Sequence, residues 1–167
     1  MRKFALIAAL ALTASLALSA CGKHEEAQQA DQQTSQQATK PTDPNDTKAW
    51  NAYFGQIVQN NMQGMKADRP YPYLVPAGDD DASKAGYQRQ LENVQDTVAR
   101  GVLPGNLLAF AGPDSSKTAD LIVAAFQGAK PGSFKGVIVL FIGDKADEQR
   151  VETAVNPTGA TVRFVQM

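Results

Sequence analysis

The chain has 167 residues, with 16 Lys and Arg, 17 Asp and Glu and a formal net charge of −1. This balance has no basic excess of the kind that nucleic-acid-binding proteins carry, so we expect no nucleic-acid partner. The chain holds one cysteine and one histidine, which excludes an intrachain disulfide and a zinc site built on several Cys and His ligands.

Residues 1–20 have the pattern of a bacterial secretory signal. Arg2 and Lys3 form a short positive start, and an apolar stretch from Phe4 to Leu18 follows them. This stretch is shorter than the roughly 20 apolar residues that a membrane-spanning helix needs. It ends in the sequence Leu18-Ser19-Ala20-Cys21-Gly22.

The sequence Leu18-Ser19-Ala20-Cys21 resembles the lipobox of bacterial lipoproteins at all four positions. The resemblance implies cleavage before Cys21, a diacylglycerol on the Cys21 thiol and acylation of the new amino group. It also accounts for an unpaired cysteine in an exported chain, which an ordinary signal peptide followed by a chance cysteine does not. Because Gly22 rather than aspartate follows the cysteine, the resemblance implies sorting to the outer membrane, with the chain facing the periplasm. We expect this covalent lipid to be the membrane contact, and no cofactor.

The segment that starts with the lipidated cysteine, residues 21–45, is predicted to be a tether. Residues 22–45 contain no Val, Ile, Leu or aromatic side chain and are rich in Gln, with two prolines near the end. Such a segment has nothing to bury and is expected to stay disordered, which lets a folded domain stand off the membrane. A glutamine tract that contacts peptidoglycan or aggregates is the alternative. Cleavage after residue 20 removes Arg2 and Lys3 and leaves a net charge near −3.

Residues 46–167 are predicted to form one small domain, beginning with a helix. Asp46 has the position of an N-cap before a segment whose apolar residues recur every three or four positions. These residues are Trp50, Tyr53, Phe54, Ile57, Val58, Met62 and Met65. Pro70 and Pro72 end this helix. A short strand candidate follows at residues 73–75, and Ser83 then opens a helix that closes at Gly101.

The second half of the domain alternates between strands and helices. Residues 107–111 and 137–142 are apolar runs of strand length, the second with both faces apolar, as in a buried parallel strand. Between them lies a helix that ends at Gly128. Asp144 is predicted to cap the next helix, with Asp147 at its third position, and a turn and a last strand over 161–166 follow. This alternation predicts an α/β domain with a mostly parallel sheet of about four strands flanked by helices, in two or three layers.

The sequence offers little for catalysis. The only histidine, His24, lies in the predicted tether, so it cannot be held beside a serine as a general base. The segment Ser115-Ser116-Lys117-Thr118 follows a strand as a phosphate-binding loop does, but Ala111 and Ser116 stand where that motif needs glycine. Helix capping is the better interpretation of this segment, and we expect neither an enzyme nor a metal site.

Three consecutive aspartates, Asp79, Asp80 and Asp81, lie in the loop before the second helix. They are the best source of the paired carboxylates of a glycosidase, although adjacent aspartates point in different directions. They lack the ligand spacing of a calcium loop. A solvated loop in which one of them starts the helix is the simpler interpretation.

The predicted sheet brings these aspartates to one edge together with others. Loops that follow parallel strands share the edge where open α/β sheets usually bind ligands. The acidic residues of those loops are Asp79, Asp80, Asp81, Asp114, Asp144 and Asp147. Lys117 and Lys145 neutralise part of this charge, and capping of helix N-termini explains part of the pattern. The remainder predicts an acidic face that binds a basic protein partner.

A second candidate surface is the segment Arg69-Pro70-Tyr71-Pro72-Tyr73. Its prolines make the segment stiff and extended and oppose its pairing as a central strand. Arg69, Tyr71 and Tyr73 belong to residue types that are common at interface hot spots. The alternative is that the tyrosines pack over the edge of the sheet.

In layout, the chain resembles the immunity lipoproteins that bacteria make beside antibacterial secretion systems, with a lipobox, a Gln- and Pro-rich tether and a small domain. The lipobox is the motif match, and the likeness of layout extends over the whole chain. The resemblance implies an immunity protein that inhibits an exported, periplasm-acting toxin by direct contact. The alternatives are a structural accessory lipoprotein of an envelope or secretion assembly and a carboxylate-dependent wall hydrolase.

Overall fold

The helices and strands alternate along the chain in the computed structural model, which describes residues 39–167. Cys21, the lipobox and the tether up to residue 38 lie outside the described residues, so the expectations for them stay predictions. The described residues belong to one compact unit. In this part of the chain, no helix is long and apolar enough to cross a membrane.

The described part contains four α-helices and four strands. In chain order they are α1 (Thr47–Asn60), β1 (Tyr71–Leu74), α2 (Asp81–Arg100), β2 (Leu107–Ala111), α3 (Ser115–Phe126), β3 (Ile138–Gly143), α4 (Lys145–Val155) and β4 (Thr161–Gln166). A 3-10 turn over Asn156–Thr158 joins α4 to β4. The prediction of an α/β domain with four strands is confirmed.

All four strands are parallel, and their order in the sheet is the order of the chain, β1-β2-β3-β4. Because the crossovers between parallel strands are right-handed, a consecutive order places the connecting helices on one face. The buried residues agree with this rule. Side chains of α2, α3 and α4 share a core with Phe110 and Phe141, whereas α1 packs on the opposite face against Leu107 and Leu140.

The two central strands are covered on both sides. Every residue of β2 and β3 is buried, and successive side chains enter opposite layers because strand side chains alternate. The largest fully buried side chains include Trp50 from α1 and Phe134 from the loop before β3. The domain therefore has three layers, and among the described residues α1 alone supplies the helix on its face of the sheet.

Strand β1 differs from its prediction in position. It begins at Tyr71 and includes Pro72, and it is an outermost strand of the sheet. The amide of Val75 donates to the carbonyl of Ala111 in β2, so by alternation the backbone of Tyr73 faces β2 and that of Pro72 faces the free edge. A proline is tolerated there because the amide that it lacks has no partner strand.

The first helix is shorter than its apolar pattern. It ends at Asn60, so Met62 and Met65 follow it, although both still pack against the core on the α1 face. Arg163 in β4 holds this end, because its guanidinium donates to the carbonyl oxygens of Asn61 (2.6 Å) and Gln63. At the other end, Asp46 accepts a hydrogen bond from the amide of Ala49, as the sequence predicts for an N-cap.

Candidate partner-binding edge

The carboxyl ends of the parallel strands bring the predicted acidic loops to one edge of the sheet, here called the carboxyl edge. It comprises residues 75–81 after β1, 112–115 after β2 and 144–148 after β3. Of the six predicted aspartates, Asp79, Asp80, Asp81 and Asp144 are exposed, whereas Asp114 and Asp147 are half-buried. The edge is acidic, but its carboxylates have different surroundings.

Asp80 caps α2. Its Oδ1 accepts hydrogen bonds from the amides of Ala82 and Ser83, both at 3.0 Å, and its Oδ2 accepts one from the Ser83 hydroxyl at 2.6 Å. The hydrogen bond from the Ser83 side chain, and then those from the backbone, lower the pKa of Asp80. The helix therefore begins at Asp81, two residues before the predicted start at Ser83.

Asp79 is bonded to Lys117, which lies in the first turn of α3. The Lys117 ammonium donates to Asp79 Oδ1 at 2.6 Å and to the Ala77 carbonyl at 2.5 Å. The hydrogen bond and the charge of Lys117 lower the pKa of Asp79. The general acid of a glycosidase needs a raised pKa. The pKa values of Asp79 and Asp80 are lowered instead, which is opposite to what that role requires.

A hydroxyl joins the second loop to the third. Ser115, which is buried, donates from Oγ to Asp147 Oδ2 at 2.5 Å and accepts from the Asp144 amide at 2.7 Å. Asp114 caps α3 by accepting from the Lys117 amide at 3.0 Å. The Ser115 hydroxyl thus both donates and accepts a hydrogen bond inside the fold. This is typical of a serine with a structural role rather than of a free nucleophile.

The predicted N-cap position of Asp144, before α4, is confirmed, but its side chain does not cap the helix by a hydrogen bond. Instead its Oδ1 lies 3.4 Å from Nε2 of Gln166, whose Oε1 accepts from the Lys145 amide at 2.9 Å. The last strand is thereby connected to the third loop, and the Asp144 side chain stays exposed.

Arg150, which was not among the residues predicted from the sequence, completes the edge. Its guanidinium donates to Asp147 Oδ1 from two nitrogens, at 3.0 and 2.8 Å, to the Ser116 carbonyl at 2.8 Å, and to Asp120. Partial burial lowers the pKa of Arg150, but the hydrogen bonds with Asp120 and Asp147 outweigh it and raise the pKa. The i,i+3 spacing of Asp147 and Arg150 was the available sequence signal. The contact with Asp120 crosses from α4 to α3 and has no such signal.

The two predicted neutralising lysines pair differently. Lys117 pairs with Asp79, as expected, whereas Lys145 pairs with Glu148 in its own helix. Asp81 and Asp144 form no ion pair in residues 39–167. Asp80 forms no ion pair either, but its carboxylate caps α2. Asp81, Asp144 and the outer oxygen of Asp79 are therefore the exposed carboxylate groups of the edge that cap no helix.

The strand order limits what the edge can bind. Doubly wound sheets bind ligands in the crevice where the strand order reverses, and this sheet has no reversal. A cleft of about 370 Å³ lies beside the first loop instead, with Asp79, Lys84, Tyr87, Lys117 and Asp120 among its lining residues. In the described residues, no cluster of three or more His, Cys, Asp or Glu could hold a metal ion.

The second predicted surface is divided by the fold. Tyr73 is buried, its ring is stacked on Phe110 with centroids 5.0 Å apart, and its hydroxyl donates to Thr97 Oγ1 at 3.2 Å. Tyr71 and Arg69 are exposed, at the end of the sheet opposite to the acidic loops. For Tyr73, packing is therefore the role that the structure shows.

Comparison with known proteins found no matching family model, no matching curated protein and no matching solved structure.

Proposed function

We propose that this chain is an envelope-anchored periplasmic binding protein, most specifically an immunity protein that inhibits a periplasm-acting antibacterial toxin by direct contact. The lipobox at residues 18–21 supports the anchoring. The acidic carboxyl edge supports the binding of a basic protein.

The observation that carries the proposal is the set of hydrogen bonds that connects the acidic loops. Lys117 links the first turn of α3 to the first loop, Ser115 links the second loop to the third, and Gln166 links the third loop to β4. A surface that is already ordered loses little conformational entropy when a partner binds. Its exposed carboxylates attract basic partners over a distance and accelerate their capture.

The test compares two variants of the mature chain that lose the same charge. Asp79→Asn, Asp81→Asn and Asp144→Asn neutralise the exposed carboxylates but keep the Asp80 cap. Asp68→Asn, Glu92→Gln and Asp96→Asn neutralise exposed acids away from the edge. Each chain, with Cys21→Ser to prevent lipidation, is used to capture exported proteins at physiological salt.

We expect the parent chain and the control variant to capture one basic exported toxin at a one-to-one ratio and to inhibit its activity. The edge variant should lose both capture and inhibition. Capture of envelope-assembly proteins by all three chains would contradict the proposal and favour the structural accessory lipoprotein. A captured toxin that stays fully active would contradict the inhibitory role.

A further inference from the structure

The edge of the sheet opposite to the acidic loops has the opposite charge. The segments there are residues 61–70, 100–106 (which starts with the last residue of α2) and 127–137. They contain five cationic residues and one acidic residue, Asp68. The cationic residues are Lys66, Arg69, Arg100, Lys130 and Lys135, all exposed. In the described chain, none of the five forms an ion pair. These segments, here called the amino edge, are therefore basic although the chain as a whole has a net negative charge.

The loops of the amino edge are held against one another. The amides of Lys66 and Ala67 donate to the carbonyl of Gly105, at 2.7 and 3.2 Å, and the amide of Gly105 donates to the carbonyl of Gly136 at 2.7 Å. The amide of Phe134 donates to the carbonyl of Thr158 at 2.8 Å. The cationic side chains therefore project from a connected surface rather than from independent loops.

An exposed leucine stands in this basic surface. Leu103 is 77% exposed, and with Tyr71, at 43%, it makes up the exposed large hydrophobic residues of the described chain. Leu103 starts a turn in which Pro104 precedes Gly105, at φ +90°, and the amide of Asn106 donates to the Leu103 carbonyl at 3.3 Å. This is the arrangement of a type II turn, and it holds the leucine outward.

We propose that the amino edge docks on an anionic lipid bilayer, with Leu103 entering the boundary between headgroups and acyl chains. Cationic side chains gain from the negative potential of an anionic leaflet, and an apolar side chain among them adds burial in the interface. An acidic protein would also attract the cations. An exposed leucine beside unpaired cations suits a lipid surface better, because the bilayer offers apolar and anionic contacts together.

The proposal rests on the membrane anchoring that forms part of the proposed function, and it gives the domain an orientation. With the amino edge on the membrane, the acidic carboxyl edge faces away from it, toward a partner. Residues 22–38 separate Cys21 from the described chain, and an extended chain reaches up to about 3.5 Å per residue. The length of α1, whose 14 residues rise about 1.5 Å each, is a measure of the depth of the domain. The reach of the segment exceeds this depth, so a lipid on Cys21 permits this orientation.

The experiment measures co-sedimentation of the mature chain carrying Cys21→Ser with two kinds of vesicle. One is phosphatidylcholine alone, and the other is equal parts of phosphatidylcholine and phosphatidylglycerol. We expect binding to the second kind only, with release at high salt because salt screens exposed charges. Neither the covalent lipid on Cys21 nor a toxin is needed for this measurement, so its result is independent of the capture experiment.

Three variants locate the contact. Lys66→Gln with Lys130→Gln and Lys135→Gln should lower binding by roughly two orders of magnitude, since each cation near an anionic surface contributes about a fivefold factor. Leu103→Ser should lower it roughly tenfold and leave the salt dependence unchanged. Lys40→Gln with Lys48→Gln and Lys84→Gln removes the same charge away from the amino edge and should leave binding near the parent level.

Thermal unfolding of each variant, compared with the parent chain, shows whether it is folded. The proposal is overturned if the folded parent chain binds both vesicles equally or binds neither. It is also overturned if the control variant weakens binding as much as the amino-edge variant does. Capture of an acidic protein through Lys66, Lys130 and Lys135 without vesicle binding would assign this edge to a protein partner.

Discussion

The Ser115 hydroxyl and the Asp147 carboxylate, 2.5 Å apart, join the first turn of α3 to the first turn of α4. The same hydroxyl accepts from the Asp144 amide, so one side chain fixes the spacing of two helices and of the loop between β3 and α4. Arg150 then bonds the same carboxylate from the opposite side. The geometry of the carboxyl edge depends on this group of side chains.

Ser115→Ala should lower the free energy of unfolding by about 1–3 kcal/mol, because it leaves the Asp144 amide without its acceptor and removes a donor to a half-buried carboxylate. Urea unfolding monitored by circular dichroism measures the change. Ser133→Ala, which alters an exposed serine bonded to the Lys130 carbonyl, is the control and should have a smaller effect. Equal effects of the two substitutions would show that the Ser115 contact contributes nothing specific.

Gly112→Ala should destabilise the domain by about 1–3 kcal/mol, as overpacking does. An added Cβ would lie 2.5 Å from the Val75 carbonyl oxygen and 2.7 Å from Thr118 Oγ1, so the loops after β1 and β2 would have to separate. Gly128→Ala is the matched control, since nothing lies within 4 Å of its Cβ position. A Gly112→Ala protein as stable as the parent in urea would show that the two loops are not closely packed.

Gly55→Ala should stabilise the domain by up to about 1 kcal/mol. Gly55 lies inside α1, is exposed and has nothing within 4 Å of a Cβ position, so alanine gains helix propensity without a clash. Gly101→Ala has the same open space but a φ of +81°, and it should be destabilising because alanine is strained there. Chemical unfolding of both variants should give changes of opposite sign, and a loss of stability in Gly55→Ala would contradict the helix assigned to α1.

Tyr73 should make the domain less stable at alkaline pH. Burial, the largest cause, raises the pKa of Tyr73 above its ordinary value of 10.0. The unfolded chain therefore loses the phenolic proton first as the pH rises, so the stabilisation is complete below 10.0 and declines as the pH rises through the folded value. Tyr73→Phe should remove this part of the decline and lower stability at neutral pH by about 1 kcal/mol, through the lost hydrogen bond to Thr97.

The measurement for Tyr73 is urea unfolding at a series of pH values from neutral to above 10.0. Tyr71→Phe is the control, because Tyr71 is exposed on the same strand. Part of the alkaline decline should persist in Tyr73→Phe, since burial also raises the pKa values of Tyr53 and Tyr87. If the Tyr73→Phe protein showed the full decline of the parent, Tyr73 would not be its source.

The fold was predictable where patterns are local. The apolar runs of β2 and β3, and the three- and four-residue spacing from Trp50 to Val58, predicted their elements because burial on one or two faces fixes the pattern. Strand β1 was misplaced, because Pro72 argues against a strand unless its position at the sheet edge is known.

The candidate site was less predictable, because its contacts are tertiary. The parallel order placed the aspartates at one edge, but propensity could not show that Asp80 caps a helix through its carboxylate while Asp144 does not. The partners of Arg150 come from two helices. Which carboxylates remain available to a partner follows from these pairings and not from the sequence pattern.

The isolated position of α1 bears on the order in which the chain folds. Helices α2, α3 and α4 each connect neighbouring strands, so their contacts close short loops, which form quickly. Helix α1 comes first along the chain, but Trp50 and its other core residues pack with residues of β2 and β3. Its apolar side is not fully covered until the chain has been made through Ile142, the last β3 residue of this core. The first helix of the described residues is therefore among the last to complete its packing.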